Sequence, residues 1–369
     1  MRIGAQTERD RISHRERVGG VPTAVAKYLV TGGAGFFGGI LKRRLLADGA
    51  QVVSVDLVPD PALHPALTSI HADIRDEPAM RALFNAHKFT AVFHVAAMLA
   101  HGKMDRELVW SSNVDGTGVI ARTAQLAGIK KLVYLSTNCL WAKNLGRPVR
   151  EDDLPAPAEI YGESKLASEK LLKQFQDELD VVILRCPTVI DSGRLGLLAI
   201  LFEFIRENKT VWVVGSGDNR YQFIYAGDLA QACVMASQWP GSDTFHVGSD
   251  HVPTLRECYE AVIREAGSHS RVRSLPQGPA LAALRLAHRL GVSPLGPYHY
   301  SMIAEDFIFD TTRIRNKLGW RPTVTNSEML SQAYRYYAQN RTEILARQNV
   351  SSHSRVAEMG ILRLLKWIS

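Results

Sequence analysis

The stretch IYGESK sets a phenol, Tyr161, four residues ahead of an ammonium, Lys165. Neither group is useful alone at neutral pH, since their ordinary pKa values lie near ~10 and ~10.4. On a helix, positions i and i+4 share a face. A cation beside a phenol favours the phenolate and is expected to lower its pKa. The phenol can then act as acid or base near neutrality. Taken alone, the spacing also describes an ordinary surface pair. The context that sharpens it is the strand-like run KLVYLSTN, which closes on Ser136 and Thr137. Hydroxyls at the carboxyl end of such a strand stand where open parallel sheets bind their ligands.

The elements that must position these groups are legible as an alternation. Short Val/Ile/Leu-rich runs at 27–31, 51–56, 90–95, 131–136 and 181–185 suit strands buried on both faces. Helical patterns at 36–48, 77–87, 104–128 and 158–179 lie between them. This order predicts an α/β fold with a Rossmann-type, doubly wound parallel sheet. Beyond about residue 190 the rhythm changes. A helix at 195–209, a strand TVWVV, a turn-rich GSGDNRYQ and a helix at 254–266 follow. A Pro- and Gly-rich region at 276–297 and a last helix near 325–339 complete the series. The expected division is a nucleotide-binding domain over 27–190, with 222–248 returning to it. A smaller C-terminal substrate-binding region would comprise 191–221 and 249–340.

The first strand meets the first helix in TGGAGFFGG, where Gly32, Gly35 and Gly38 are spaced GxxGxxG. Glycines allow the tight turn and let backbone N–H groups approach a pyrophosphate at a helix start. Asp56 closes the second strand, where a carboxylate accepts hydrogen bonds from ribose hydroxyls and repels the extra phosphate of NADP. A dinucleotide site with NAD as the cofactor is expected. Lys42, Arg43 and Arg44 would oppose that preference if they faced the site, but they are expected to lie on the outer, solvated face of the helix.

Composition narrows the function classes. Of the net charge of +7, residues 1–26 and 341–369 together hold +5. The body is nearly balanced, so no nucleic-acid partner is expected. Residues 1–26 read as a basic mobile tail without the apolar middle of a secretory signal. The four cysteines form no CxxC pair, which fits a reducing compartment and a cytoplasmic protein, with no metal site. Residues 341–369 read as a basic amphipathic tail. Within it MGILRLLKWIS could rest weakly on a membrane surface or dock on the protein itself.

The ordered set of motifs resembles the extended short-chain dehydrogenases/reductases, the NAD-dependent epimerase/dehydratase family. The resemblance rests on TGGAGFFG, VVSVD, HADIRD, HVAA at 94–97, NVDGT at 113–117, LSTNCLWA, YGESK, LRCPTVI at 184–190, FIYAGDLAQA and DTTRIRNKLGWRP. It implies cofactor contacts from Gly32, Gly35, Phe36, Phe37, Gly38, Asp56, Asp73, Ile74, Ala96, Ala97, Asn113, Lys165 and Pro187. It also implies catalysis by Tyr161 as acid/base, with Lys165 lowering its pKa and holding the nicotinamide ribose. Thr137 would bond the reacting oxygen, with Ser136 as the substitute. A homodimer through the helices at 104–128 and 158–179 is implied as well.

Two departures bear on the reaction. Family dehydratases carry Asp-Glu after the catalytic Thr, and here Asn138 and Cys139 stand there, which argues against water elimination. The Arg that sugar-nucleotide enzymes of the family place before the late Asp-Leu is Tyr221 here, with Arg220 beside it. Arg220 either reaches a diphosphate or only pins its loop. Ser136, Asn138, Arg220 and Tyr221 are the candidate substrate contacts, and the PYHY cluster at 297–300 either lines the pocket or packs. The leading expectation is an NAD-dependent epimerase of a nucleotide-activated sugar. The alternative enzyme is a net dehydrogenase/reductase of a sterol-like or polyketide-like alcohol or ketone, and a third reading is an NAD-binding regulator without catalysis.

Overall fold

The computed structural model describes residues 25–346, apart from 61, 100–104, 195, 291 and 293–295. The tail 1–24 and the amphipathic stretch 359–369 lie outside the described residues. The first half runs β1 (Lys27–Thr31), α1 (Phe36–Ala47), β2 (Gln51–Asp56), β3 (Leu67–His71), α2 (Glu77–Ala86) and β4 (Ala91–His94). It continues through α3 (Arg106–Trp110), a π-type turn over Ser111–Asp115, α4 (Gly116–Leu126), β5 (Lys131–Thr137), α5 (Ile160–Leu172) and β6 (Asp180–Cys186). The second half holds β7 (Thr188–Ile190), α6 (Leu198–Arg206), β8 (Val211–Val214), β9 (Phe223–Tyr225), α7 (Ala226–Gln238), β10 (Asp243–His246) and α8 (Leu255–Glu265). Last come β11 (Val272–Leu275), α9 (Gln277–Arg289), α10 (Pro297–Ala304), α11 (Thr312–Leu318) and α12 (Asn326–Ala346).

Seven strands form one sheet in the order β10-β6-β5-β4-β1-β2-β3. Every ladder is parallel. A parallel sheet of this order must be covered on both faces, and its central strands are continuous apolar runs for that reason. On one face α1, α7 and the end of α11 bury Leu41, Leu229, Cys233 and Ile314 against Val30, Val52 and Phe245. On the other, α2, α4 and the end of α5 bury Met80, Ile120, Ala124 and Leu172 against Leu29, Val53 and Ile183. The chain reverses direction across the sheet between β1 and β4, which opens a crevice at their carboxyl ends.

A third apolar core lies outside the sheet, built from α6, α8 and α12 with Trp141, Tyr221, Phe307 and Phe309. The two small parallel pairs β8–β11 and β7–β9 belong to this half. Asp228 at the start of α7 ties the late motif to it. Its carboxylate accepts the Thr323 hydroxyl at 2.6 Å and the Thr323 N–H at 2.8 Å, and its carbonyl accepts the Trp320 indole N–H at 3.0 Å.

Several elements differ from the sequence expectation. The region 276–297 contains a full helix, α9. Its Gly278 and Pro279 fall in the first turn, where proline is tolerated, and LAALRLAHR after them is a run of good helix formers. The short edge strand β3 shows little apolar signal because it is mostly solvated. α12 runs to Ala346, since Arg341 pairs with Glu203 at 2.6 Å; residues 341–346 therefore continue the helix. Among the described residues no helix is long and apolar enough to cross a membrane.

Asp228→Ala removes two hydrogen bonds and strands the Thr323 groups. It is expected to cost about 1–3 kcal/mol of folding stability. A urea titration reads this, and an unchanged midpoint would remove Asp228 as the link between the two halves.

Candidate active site

The crevice is a cavity of about 1320 Å³ lying at the carboxyl ends of the central strands and continuing into the C-terminal half. A single bound small molecule is ordinarily held in roughly 300–1,000 Å³, so this space admits two. Gly32 has φ +74°, and a Cβ there would come within 2.8 Å of the Ala96 Cα. Only glycine lets the turn close on that segment. Gly35, Phe36, Phe37 and Gly38 line the wall where α1 begins, which places unbonded helix N–H groups there. Asp56 is held by N–H groups of Ala34 and Val58, each at 3.0 Å. Ile74, Ala96, Ala97 and Pro187 lie on the same wall. Asp73 does too, but the Arg75 guanidinium grips its carboxylate at 2.6 Å and holds its pKa below the usual range.

Two buried hydroxyls on this wall, Ser112 and Ser136, have no hydrogen-bond partner among the described residues. Buried polar atoms are ordinarily satisfied, so these are suited to a bound polar molecule. Together with the helix N–H groups for phosphates and Asp56 for ribose hydroxyls, the residues fit a dinucleotide. Lys42 does not lie on a solvated face as expected. It is 3% exposed and paired with Asp60, which also accepts from Ser54. Its charge is thus neutralised inside the protein, while Arg43 and Arg44 are exposed.

Asn113 is not on the cavity wall. Its amide exchanges hydrogen bonds with the Met98 backbone at 2.7 and 3.0 Å and donates to Ser164 at 2.9 Å. It therefore ties the segment after β4 to α5, across the π-type turn. His94 is likewise internal, between Thr31 and Thr117 hydroxyls at 2.7 and 2.9 Å, and burial brings its pKa down to about 3.

Tyr161, Lys165, Ser136 and Thr137 all line the cavity. Two features fix α5. A Cβ on Gly162 would lie 2.3 Å from the Cys139 carbonyl oxygen, so the helix start is pressed against the turn after β5. Further along, Glu169 forms a buried ion pair with Arg185 of β6 at 2.7 Å. Thr137 accepts the Cys139 N–H at 3.1 Å and donates its own proton over a long 3.5 Å to the Asn138 amide oxygen. The expected lowering of the phenol does not follow from this arrangement. Burial pushes Tyr161 well above its ordinary value, and it holds Lys165 down to about 7. The Lys165 ammonium lies 4.0 Å from the centre of the Tyr134 ring. Desolvation is invisible in a two-residue spacing, and here it outweighs the proximity of the pair.

In the C-terminal half a chain of neutral groups borders the site. The Asn138 amide donates to the Tyr221 hydroxyl at 2.6 Å, and that hydroxyl donates to Tyr298 at 2.9 Å. Tyr298 and Thr188 are 2.8 Å apart, and both line the cavity. Tyr221 stands behind the wall and orients Asn138 and Tyr298. Arg220 is not brought to the cavity; its guanidinium donates to the Val252 carbonyl at 2.5 Å and its N–H to Asp306 at 2.6 Å. Tyr298, Thr188, Cys139, Cys186 and Arg194 line the site without having been singled out as site residues. Tyr298 and Thr188 lie within motifs already noted; Arg194 sits in a Gly-containing connection with no pattern to mark it. The remaining wall, from α6, β8, β11 and α9, is mainly apolar, with Leu197, Leu201, Phe204 and Leu284 among its residues.

The Lys165 shift has a sign that can be tested. Between pH 7 and 10.5 the unfolded chain holds this proton more tightly than the folded one. Lys165 therefore weakens folding most below pH 7, and the penalty fades as pH rises toward 10.5. Lys165→Met is expected to melt higher than the parent at pH 6, with the gap narrowing at pH 9, and to lose turnover. Equal melting at pH 6 would contradict the burial of a strained ammonium.

Comparison with known proteins agrees with this geometry. The sequence model of the NAD dependent epimerase/dehydratase family matches residues 28–248. An uncharacterised protein of Sinorhizobium fredii is 38% identical over 341 residues, covering 92% of this chain and 85% of that one. The UDP-glucose 4-epimerase of Mycolicibacterium smegmatis is 28% identical, covering 84% of this chain and 97% of its own. Among solved structures, a Thermotoga maritima UDP-glucose 4-epimerase with UDP-glucose shares the fold at a TM-score of 0.71 and 24% identity, covering 85% of this chain and 99% of its own. A glycine turn, a carboxylate closing the second strand and a Tyr–Lys helix facing one crevice are thus found in a chain that belongs to the NAD-dependent epimerase/dehydratase family, an enzyme that uses NAD.

Proposed function

We propose that the enzyme epimerises a carbinol of a nucleotide-activated sugar by transient oxidation and re-reduction. The observation that carries this is the meeting of Tyr161, Lys165, Thr137 and Ser136 with the glycine turn in one cavity with room for a second molecule. The relative named UDP-glucose 4-epimerase supports the substrate class. NAD supplies the hydride acceptor and donor. Gly35–Gly38 would hold its phosphates, Asp56 its adenine ribose and Lys165 its nicotinamide ribose. Tyr161 would take the carbinol proton as phenolate, the form that burial disfavours and that the Lys165 ammonium and the positive nicotinamide would favour, and return it afterwards. Thr137 or Ser136 donates to the same oxygen.

Lys165 is the chain's own positive charge toward the phenol, and its half-titrated state near pH 7 makes that help pH-dependent. The mainly apolar wall keeps water from the ketone. Dehydration is not supported: burial pushes the Cys139 thiol up to about 12, Asn138 is an amide, and Glu159 is the carboxylate on this part of the wall among the described residues. Its Oε1 accepts the Tyr298 N–H at 3.2 Å.

The apolar wall also favours a second reading, net oxidation of an apolar alcohol. The two differ in cofactor use, because an epimerase regenerates NAD and a dehydrogenase accumulates NADH. The protein, purified without added NAD and then supplied with it, is incubated with UDP-, GDP- and dTDP-sugars. Interconversion of two sugars at constant 340 nm absorbance is expected, with turnover falling by about 10²-fold or more in Tyr161→Phe while NAD binding remains. Steady NADH formation from a simple alcohol, with every sugar nucleotide unchanged, would hand the case to the second reading.

The resemblance to the family also supports a homodimer through α3–α4 and α5, where Trp110 is 40% exposed. Light scattering is expected to give twice the chain mass at micromolar concentration; a monomer would count against it.

A further inference from the structure

Arg194 lies in the connection between β7 and α6, on the cavity wall. Its guanidinium makes no hydrogen bond or ion pair with a described residue; the Phe36 ring lies beneath it, 5.9 Å to the centroid. The arginines that anchor the interior are matched, as Arg185 is by Glu169 and Arg341 by Glu203. Arg194 is half-buried, and a guanidinium partly withdrawn from water without a carboxylate stands ready for an anion that enters the cavity. Burial brings its pKa down to about 10, so it remains a cation at neutral pH.

The groups that face Arg194 electrostatically are Tyr298, Tyr161 and Cys186. None supplies a counter-charge. Burial pushes Tyr298 and Cys186 each up to about 12 and Tyr161 well above its ordinary value. The Glu159 carboxylate accepts the Tyr298 N–H at 3.2 Å. The cavity wall that carries the phenol therefore holds a second cation besides Lys165, while the one carboxylate near it among the described residues, Glu159, is engaged by that N–H. An anion drawn to it would sit on the wall it shares with Tyr161, within the electrostatic reach of that phenol.

We propose that Arg194 binds a carboxylate carried by the substrate beside the carbon that is oxidised. The planar guanidinium fork takes such a group in two parallel hydrogen bonds. For a sugar this means a uronic acid in preference to a neutral hexose. The inference rests on the reading that Tyr161 acts on a substrate carbinol. The cofactor's diphosphate is the other oxyanion in the cavity, and the experiment separates the two.

NAD-loaded protein is titrated calorimetrically with UDP-glucuronate, UDP-glucose, free glucuronate and inorganic phosphate. The expected result is that UDP-glucuronate binds about 30-fold or more tightly than UDP-glucose, and that Arg194→Gln binds the two alike. Arg194→Lys, which keeps the charge and loses the fork, falls between. The dissociation constant for NAD stays within about twofold in Arg194→Gln, because the cofactor's own oxyanions do not depend on this fork. A loss of NAD affinity with Arg194→Gln would assign the guanidinium to the cofactor and overturn the proposal. So would equal binding of acid and neutral sugars, or a preference that survives the substitution. If neither sugar nucleotide binds, the nucleotide-sugar reading fails separately. Glucuronate then decides: binding that Arg194→Gln abolishes supports the carboxylate site, and no binding to the parent protein, or phosphate bound in its place, overturns it.

Discussion

The buried ion pair between Arg185 and Glu169 is the contact on which the arrangement of the site rests. Its side chains are 4% and 1% exposed. Removing one partner from such a pair costs about 3–5 kcal/mol, because the other is left charged and unmatched. Glu169 is on α5, one turn beyond Lys165 and two beyond Tyr161. Arg185 is on β6 and also reaches the Glu151 carbonyl at 2.9 Å and lies 5.2 Å from the centre of the Trp141 ring. Trp141 in turn packs edge-on against Phe309. One guanidinium thus joins the sheet, the helix bearing the phenol and the core of the C-terminal half. The position of Tyr161 along and around its helix is set from both ends, by Glu169 behind it and by the close approach at Gly162 in front.

The same economy of contacts explains how two regions of different character make one cavity. The sheet contributes strand ends and the start of α1, all backbone-rich and suited to a polar cofactor. The outer half contributes apolar side chains and a few hydroxyls. Tyr221 lies where they meet. Its carbonyl accepts from Asn326 of α12 at 2.8 Å, while its hydroxyl bonds Asn138 just after β5. Side-chain positions in the outer half are therefore referred to the sheet through hydrogen bonds as well as packing.

Much of this was legible in the chain. The glycine turn, Asp56 and the Tyr–Lys spacing are local patterns whose meaning depends on a few consecutive residues, and the parallel sheet follows from buried runs alternating with helices. What was not legible depends on distant parts of the chain meeting. Lys42 was expected in solvent because nothing near it in sequence predicts that Asp60 folds beneath it. Arg220 stood as an even choice between ligand and loop, and the choice turns on the Val252 carbonyl. Tyr298 reaches Thr188 across 110 positions. The helix α9 was hidden by counting its Gly and Pro without regard to where in a helix they fall. The phenol's upward shift was missed for a related reason: spacing reports which charge is near, while burial depends on everything else.

The chain of neutral groups from Asn138 through Tyr221 and Tyr298 to Thr188 has one property that an ion pair in its place would lack. Hydroxyls give and receive equally well, and turning the amide of Asn138 end over end converts its donor into an acceptor. Rotating the protons in step then reverses the sense of every bond while the outline of the wall stays as it was. Such a wall has two electrical faces in one shape. The epimerisation proposed above would suit such a wall, since its two partners differ in where one hydroxyl points and hardly at all in bulk.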